Sequence, residues 1–181
     1  MTKIDEILRA IASLSEEERA ALWRRAHAMG LLPLVAGEVP PGSPQDQPGA
    51  IPLTLVFDGG SRGNPGPGYG SYAFLWPGKP PEIHRLRFGT LTNNEAEYDT
   101  LIAALEALLG RLAREGVDPG DVHLDIRGDS RLVINQINGV WRVREPRLQA
   151  RWQKARALLE PFGRVTLRHQ PRERSVNLLG H

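Results

Sequence analysis

The chain has 181 residues, 40% of them hydrophobic and 24% charged, with a formal net charge of +2 and no cysteine. That length has room for one full domain and a small appendage, and the absence of cysteine excludes a disulfide framework, thiol catalysis and thiolate metal sites. No apolar run approaches the ~20 residues that span a bilayer, and the N-terminus carries acids throughout, so neither a membrane span nor a signal peptide is expected and a cytoplasmic protein is.

Residues 4–29 read as two short helices: Ile4, Ile7, Leu8 and Ile11 recur at helical spacing, and Ser15 with Glu18 forms a capping box that restarts a helix through Leu22 and Trp23. The stretch 37–52, with five Pro and three Gly, reads as a linker. The expected division is therefore a helical appendage over 1–36, a linker over 37–52 and a main domain over 53–181. The appendage has nearly balanced charge, so its expected partner is an unknown protein or a second copy of itself rather than nucleic acid.

The main domain opens with LTLVF (53–57), a β-rich run closing at Asp58-Gly-Gly. Two further strands, 69–76 and 82–88, follow turn signals and predict an antiparallel meander. Thr92 and Glu95 form a second capping box, starting a helix over 93–112. A strand over 122–126, a short helix over 129–137, a longer one over 146–159 and a strand over 165–168 complete the order. This implies an α/β fold, a five-stranded mixed sheet flanked by helices. Residues 131–181 hold eleven Arg/Lys against three Asp/Glu, while residues 1–130 hold twelve against eighteen. A basic half beside an acidic one suits a polyanion held near a cation site, although a solvated basic helix face explains the same charges.

Three acids stand at the ends of these elements. Asp58 closes the first strand, and the glycines after it let a ligand or a backbone approach. Glu97 lies one helical turn before Leu101 on the stripe Leu101, Ala104, Leu105, Leu108, where a carboxylate is costly unless it is paired with a cation. Glu95 is used by the cap, and Glu106 lies off that face. Asp129 follows a strand and opens a helix as its N-cap, which alone would explain an Asp there. Converging carboxylates without Cys or an HExxH pattern suit magnesium or manganese, which prefer oxygen ligands.

DGGSRGNPGPGYGSY, TNNEAEY and RGDSRLVINQINGVW, in this order and spacing, resemble the three signature blocks of the type 1 ribonuclease H family. The likeness covers about residues 53–175. It implies the ribonuclease H-like fold, with the first three strands antiparallel. The implied activity is hydrolysis of the RNA strand of RNA–DNA hybrids with Mg2+ or Mn2+, with two ions as the expected complement. Asp58, Glu97 and Asp129 match three of the family's four metal-binding acids. Gly59, Asn64, Asn94 and Ser130 match or adjoin positions that meet the hybrid, with Gln136, Trp141, Arg142 and Arg144 as further candidates along the nucleic-acid backbone.

The fourth family acid belongs to a pattern like PRExN-x-x-A-D. Here PRERSVNLLGH places Leu179 at that point or, with a two-residue shift, Asn177, a neutral candidate ligand. No terminal helix is expected, because the sequence stops at His181. His169, at the end of the last strand, is read as structural. The alternative function is a catalytically weakened family member that binds hybrid or other nucleic acid. An actin-like nucleotide-binding domain would require a second DxG phosphate motif closing a strand, and none of the expected strands after the first ends on one.

Overall fold

The computed structural model describes residues 49–180 and, N-terminal to them, Ile7, Ala10, Ile11, Ser13, Leu14, Ser15, Glu18 and Leu22. The chain divides into two compact units, Met1–Val39 and Pro40–His181. In the first, the expected capping box forms: Ser15 N–H donates to Glu18 Oε2 at 2.8 Å and Glu18 N–H to Ser15 Oγ at 3.2 Å. The rest of the expected appendage, the linker up to residue 48, and His181 lie outside the described residues.

The second unit is built on five strands: β1 (Ile51–Ser61), β2 (Gly66–Leu75), β3 (Glu82–Leu91), β4 (Val122–Gly128) and β5 (Arg164–His169). Their order in the sheet is β3-β2-β1-β4-β5. The first three strands are antiparallel, while β4 pairs parallel to both β1 and β5. Parallel pairing of β1 and β4 requires a crossover, supplied by β2, β3 and the long helix α1 (Asn93–Glu115). Three shorter helices follow: α2 (Arg131–Ile137), α3 (Pro146–Leu159) and α4 (Arg172–Leu179).

Helix α1 begins where the sequence places it. Thr92 accepts from Glu95 N–H while the Glu95 carboxylate accepts from Thr92 N–H, and Gly116 ends the helix in the left-handed region at φ 68°. Its stripe Leu101, Ala104, Leu105, Leu108 and Leu112 is buried in one core with Leu53, Leu55 and Phe57 of β1 and Leu124 and Ile126 of β4. Alternation along β1 sends Val56 to the opposite face, where it meets Ala73 and Leu179 in a much smaller cluster. Three of α1's partners on the first core face belong to β1, the central strand, so this face fixes the heart of the domain.

Two expectations change. Strand β1 does not stop at Phe57 but runs through Asp58 and both glycines to Ser61, because the ladder to β2 continues with Asp58 opposite Ser71 and Gly60 opposite Tyr69. Cross-strand pairing overrides the weak strand preference of glycine. A terminal helix does form, over Arg172–Leu179. It fits before the end of the chain because Pro171 sets its entry, Gly180 closes it at φ 77° and fully buried Leu179 anchors it to the sheet.

Candidate metal centre

Asp58 sits on β1 and Glu97 in the first turns of α1, and a glycine makes their meeting possible. A Cβ on Gly59 would lie 2.6 Å from the Ala96 carbonyl oxygen and 2.8 Å from Glu97 Cα. Only a residue without a side chain lets α1 approach the strand this closely. The space beside Asp58 is thus taken by the protein's own helix. Gly70 of β2 does the same for Thr100, whose side chain fills the place of its missing Cβ. The Gly59 backbone amide also favours the charged form of the Glu97 carboxylate.

Asp129 reaches the same place from the end of β4. The cap of α2 is Ser130, whose Oγ accepts from Val133 N–H at 3.3 Å. The expectation that Asp129 is the N-cap is therefore corrected: the helix starts one residue later and its cap need is met, leaving the Asp129 carboxylate for the cluster. One carboxylate oxygen from each of Asp58, Glu97 and Asp129 lies within 4.8 Å of the others. Among the described residues no fourth His, Cys or acid joins them.

These carboxylates are crowded and dry. Asp58 is 2% exposed and Glu97 8%. Burial, then the charges of Asp58 and Asp129, hold the Glu97 carboxyl well above the ordinary glutamate range. Burial and the Asp58 charge likewise raise Asp129, with Arg172 opposing both shifts. Glu97 Oε2 and Asp129 Oδ1 are buried without a hydrogen-bond partner. Two orphaned buried oxygens in a triad of carboxylates form a donor set that a hard divalent cation would satisfy.

The other sequence candidates fall into two groups. Asn64 Oδ1 accepts from Asn93 N–H at 3.1 Å, and Asn93 Oδ1 accepts from Ser61 N–H at 2.8 Å and Ser61 Oγ–H at 3.0 Å. This chain of bonds ties the β1–β2 turn to the start of α1, with Asn94 half-buried beside it. Sequence reasoning missed Asn93: of two adjacent asparagines, only the fold shows which one braces the turn. Gln136, Trp141, Arg142 and Arg144 come together, with Leu132, Glu145 and Leu148, around a depression of about 320 Å³. Trp141 is 48% exposed, so it is not a core residue, while buried Gln136 accepts from Tyr98 Oη–H at 2.8 Å.

Asn177 is exposed on α4, and Leu179 lies in the second core cluster. His169 is exposed at the end of β5, so its reading as a structural histidine finds no burial to support it. Arg172 was not singled out from the sequence, yet its Nη1 lies 3.9 Å from Asp129 Oδ2.

Comparison with known proteins decides the family. A family model described as reverse transcriptase-like matches residues 86–177. Ribonuclease HI of Halobacterium salinarum is 40% identical over 117 residues, 64% of this chain and 55% of that protein. The chain belongs to the ribonuclease H family. It spans only about half the length of that ribonuclease, and 32% of a bifunctional protein of Mycobacterium tuberculosis to which it is 38% identical. The crystal structure of the Halobacterium salinarum ribonuclease H1 superposes with a TM-score of 0.60 at 38% identity, covering 68% of this chain and 89% of that one. The N-terminal ribonuclease H domain of the mycobacterial protein, solved as a fusion, gives 0.61 at 30%, covering 71% and 88%. LC11 ribonuclease H1 in complex with an RNA/DNA hybrid gives 0.62 at 31%, covering 70% and 90%. Among the described residues no helix is long and apolar enough to cross a membrane.

Proposed function

We propose that the main domain, residues 53–181, is a metal-dependent endonuclease that hydrolyses the RNA strand of RNA–DNA hybrids. The observation that carries this is the convergence of Asp58, Glu97 and Asp129 with two of their buried oxygens unpartnered. Asp58, Glu97 and Asp129 would hold Mg2+ or Mn2+, two ions when hybrid is bound. When bound, divalent ions of this kind activate water and steady the leaving oxygen in phosphodiester hydrolysis.

The chain's own residues supply position and charge. The Gly59 backbone amide favours the charged form of Glu97. Because the Asn64 oxygen is engaged by Asn93 N–H, its amide nitrogen is left to donate toward acceptors such as 2′-hydroxyl and base oxygens in the hybrid's minor groove. Asn94 and Ser130 flank the same edge. Exposed Trp141 offers a stacking face, with Arg142 and Arg144 beside it as phosphate partners. Gln136 shapes this depression from below. The reaction belongs in the cytoplasm, in keeping with a cysteine-free chain. The helical segment 1–36, tethered by 37–52, serves a protein contact or self-association.

The purified chain should be assayed on a labelled RNA–DNA hybrid in Mg2+ and then in Mn2+, beside Asp58→Asn. Cleavage leaving 5′-phosphate and 3′-hydroxyl ends is expected, with the variant slower by on the order of a thousandfold. Tight hybrid binding with no cleavage in either ion would instead establish a binding protein whose three-carboxylate centre no longer turns over.

A further inference from the structure

On the sheet face opposite α1, the buried end of α4 meets β1 and β2, through Val56 and Ala73. The residues that share this face on β4 and β5 follow from the register. Arg127 lies beside Val56 across the β1–β4 ladder, and Arg168 lies beside Arg127 across the β4–β5 ladder. Two residues earlier stand Asp125 and Thr166, and two before those His123 and Arg164. The row therefore holds three arginines and a histidine against one acid. Like charges directly opposite one another on neighbouring strands repel, so the Arg127–Arg168 pair costs the sheet stability unless an anion lies between them. Asp125 meets part of that need: its Oδ2 accepts from Arg127 Nε at 2.9 Å and Nη2 at 2.7 Å, and its Oδ1 from Arg168 Nε at 3.1 Å. One carboxylate between two guanidiniums leaves a positive charge over. It also holds both forks in place while Arg127 Nη1 and both terminal nitrogens of Arg168 stay uncommitted among the described residues. The two side chains are 40% and 59% exposed, open to a partner.

We propose that this row binds the phosphodiester backbone of a single-stranded tail that continues from a hybrid at the carboxylate centre. The inference rests on the hybrid reading of that centre. Arg127 and Arg168 are the last outward residues before β4 and β5 end at Gly128 and His169, and Asp129 follows Gly128 directly. At the rise of a strand, Arg127 is about 7 Å from Asp129 along the chain, so the row begins at the sheet end where the carboxylates meet. A duplex, with a persistence length of about 150 bp, does not fold round the end of a sheet, whereas a single strand can turn there. Guanidinium forks match the paired oxygens of a phosphate. The row is polar throughout, so it lacks the apolar centre on which a folded protein partner would anchor. Recognition through charge makes RNA and DNA tails equivalent.

Fluorescence anisotropy without divalent ions, where nothing is cleaved, tests this on the full chain. The probes are a blunt RNA–DNA hybrid and the same hybrid carrying a short single-stranded RNA or DNA tail at each of its ends in turn. At least one tailed end should bind the wild type on the order of tenfold more tightly than the blunt hybrid. Arg127→Gln with Arg168→Gln should erase that gain and leave blunt-hybrid affinity unchanged. The slope of log affinity against log salt for the tailed probe should shrink by about 1.4, two phosphates at about 0.7 each. Arg127→Lys with Arg168→Lys, which keeps the charges, should retain most of the gain. Equal wild-type affinity for blunt and tailed hybrids overturns the proposal, as does a gain that survives the glutamine pair. Loss of the gain in the lysine pair as well would trace it to a disturbed sheet and also overturn it. Poly-glutamate binding more tightly than the free tail oligonucleotide would reassign the row to an acidic polypeptide. The hybrid reading fails separately, if the wild type does not bind the blunt hybrid. Circular dichroism of each variant verifies folding.

Discussion

Asp58, Glu97 and Asp129 are held by the body of the domain, whereas Arg172 is carried by the short helix α4, which packs on the opposite face of the sheet. On the first side, the apolar stripe of α1 packs on three side chains of β1, and Gly59 lets the two backbones touch. The salt bridge from Arg151 of α3 to Asp99, at 2.7 and 3.1 Å, with Glu95 at 3.3 Å, braces the same helix from outside. On the second side, buried Leu179 meets Val56 and Ala73, with Leu75 and Leu178 packed beside them, and a few hydrogen bonds fix the helix start. The difference teaches that the three carboxylates are set by the global core, whereas Arg172 reaches them through a local attachment that can give way alone.

Gly59→Ala should show the largest effect on this comparison. Its new Cβ meets backbone atoms of Ala96 and Glu97 that cannot move without shifting α1, so a cost of about 3 kcal/mol is expected in urea denaturation. Mn2+ affinity should fall with it, because the helix carries Glu97 away from Asp58. A variant as stable as wild type would mean that the helix seats itself without this glycine.

Leu179→Ala should cost less, about 2 kcal/mol, because the cluster it leaves is small. The loss should be local: hydrogen exchange should quicken across α4 while α1 and β1 stay protected. Equal quickening in both regions would show that the two sides are one cooperative unit.

The smallest effect concerns pH in the metal-free protein. Folded Glu97 holds its proton more tightly than the unfolded chain does, since burial and two neighbouring carboxylates raise it above its ordinary value of 4.5. The folded state therefore binds more protons once the pH exceeds that value, and its stability falls as pH rises until Glu97 also ionises when folded. The unfolding free energy of wild type should accordingly decline relative to Glu97→Gln above about pH 4.5. Saturating Mn2+ should reverse the decline at neutral pH. Parallel profiles would mean that Glu97 ionises as it does in the unfolded chain.

Much of the fold was legible because local chemistry repeats simple signals. Thr92 and Glu95 marked the start of α1, and the spacing of Leu101, Leu105 and Leu108 identified its buried face and placed Glu97 at its end. The strand order followed from alternating runs and turn residues. Boundaries failed where pairing decided them. Nothing local says that Asp58-Gly-Gly continues as a strand, because that depends on Ser71 and Tyr69 across the ladder. The last helix was missed because eight residues have little helical stability alone and need Leu179 buried on the sheet.

The sequence by itself determined the elements, the three acids at their ends and the family blocks that contain them, because these depend on spacing and side-chain chemistry within short windows. Tertiary structure decided which groups meet. It brought Gly59 under Ala96, gave the cap of α2 to Ser130, chose Asn93 as the brace of the β1–β2 turn and laid Arg172 beside Asp129. Each of these depends on the closeness of residues far apart in the chain, which packing and long-range pairing create and no local pattern records.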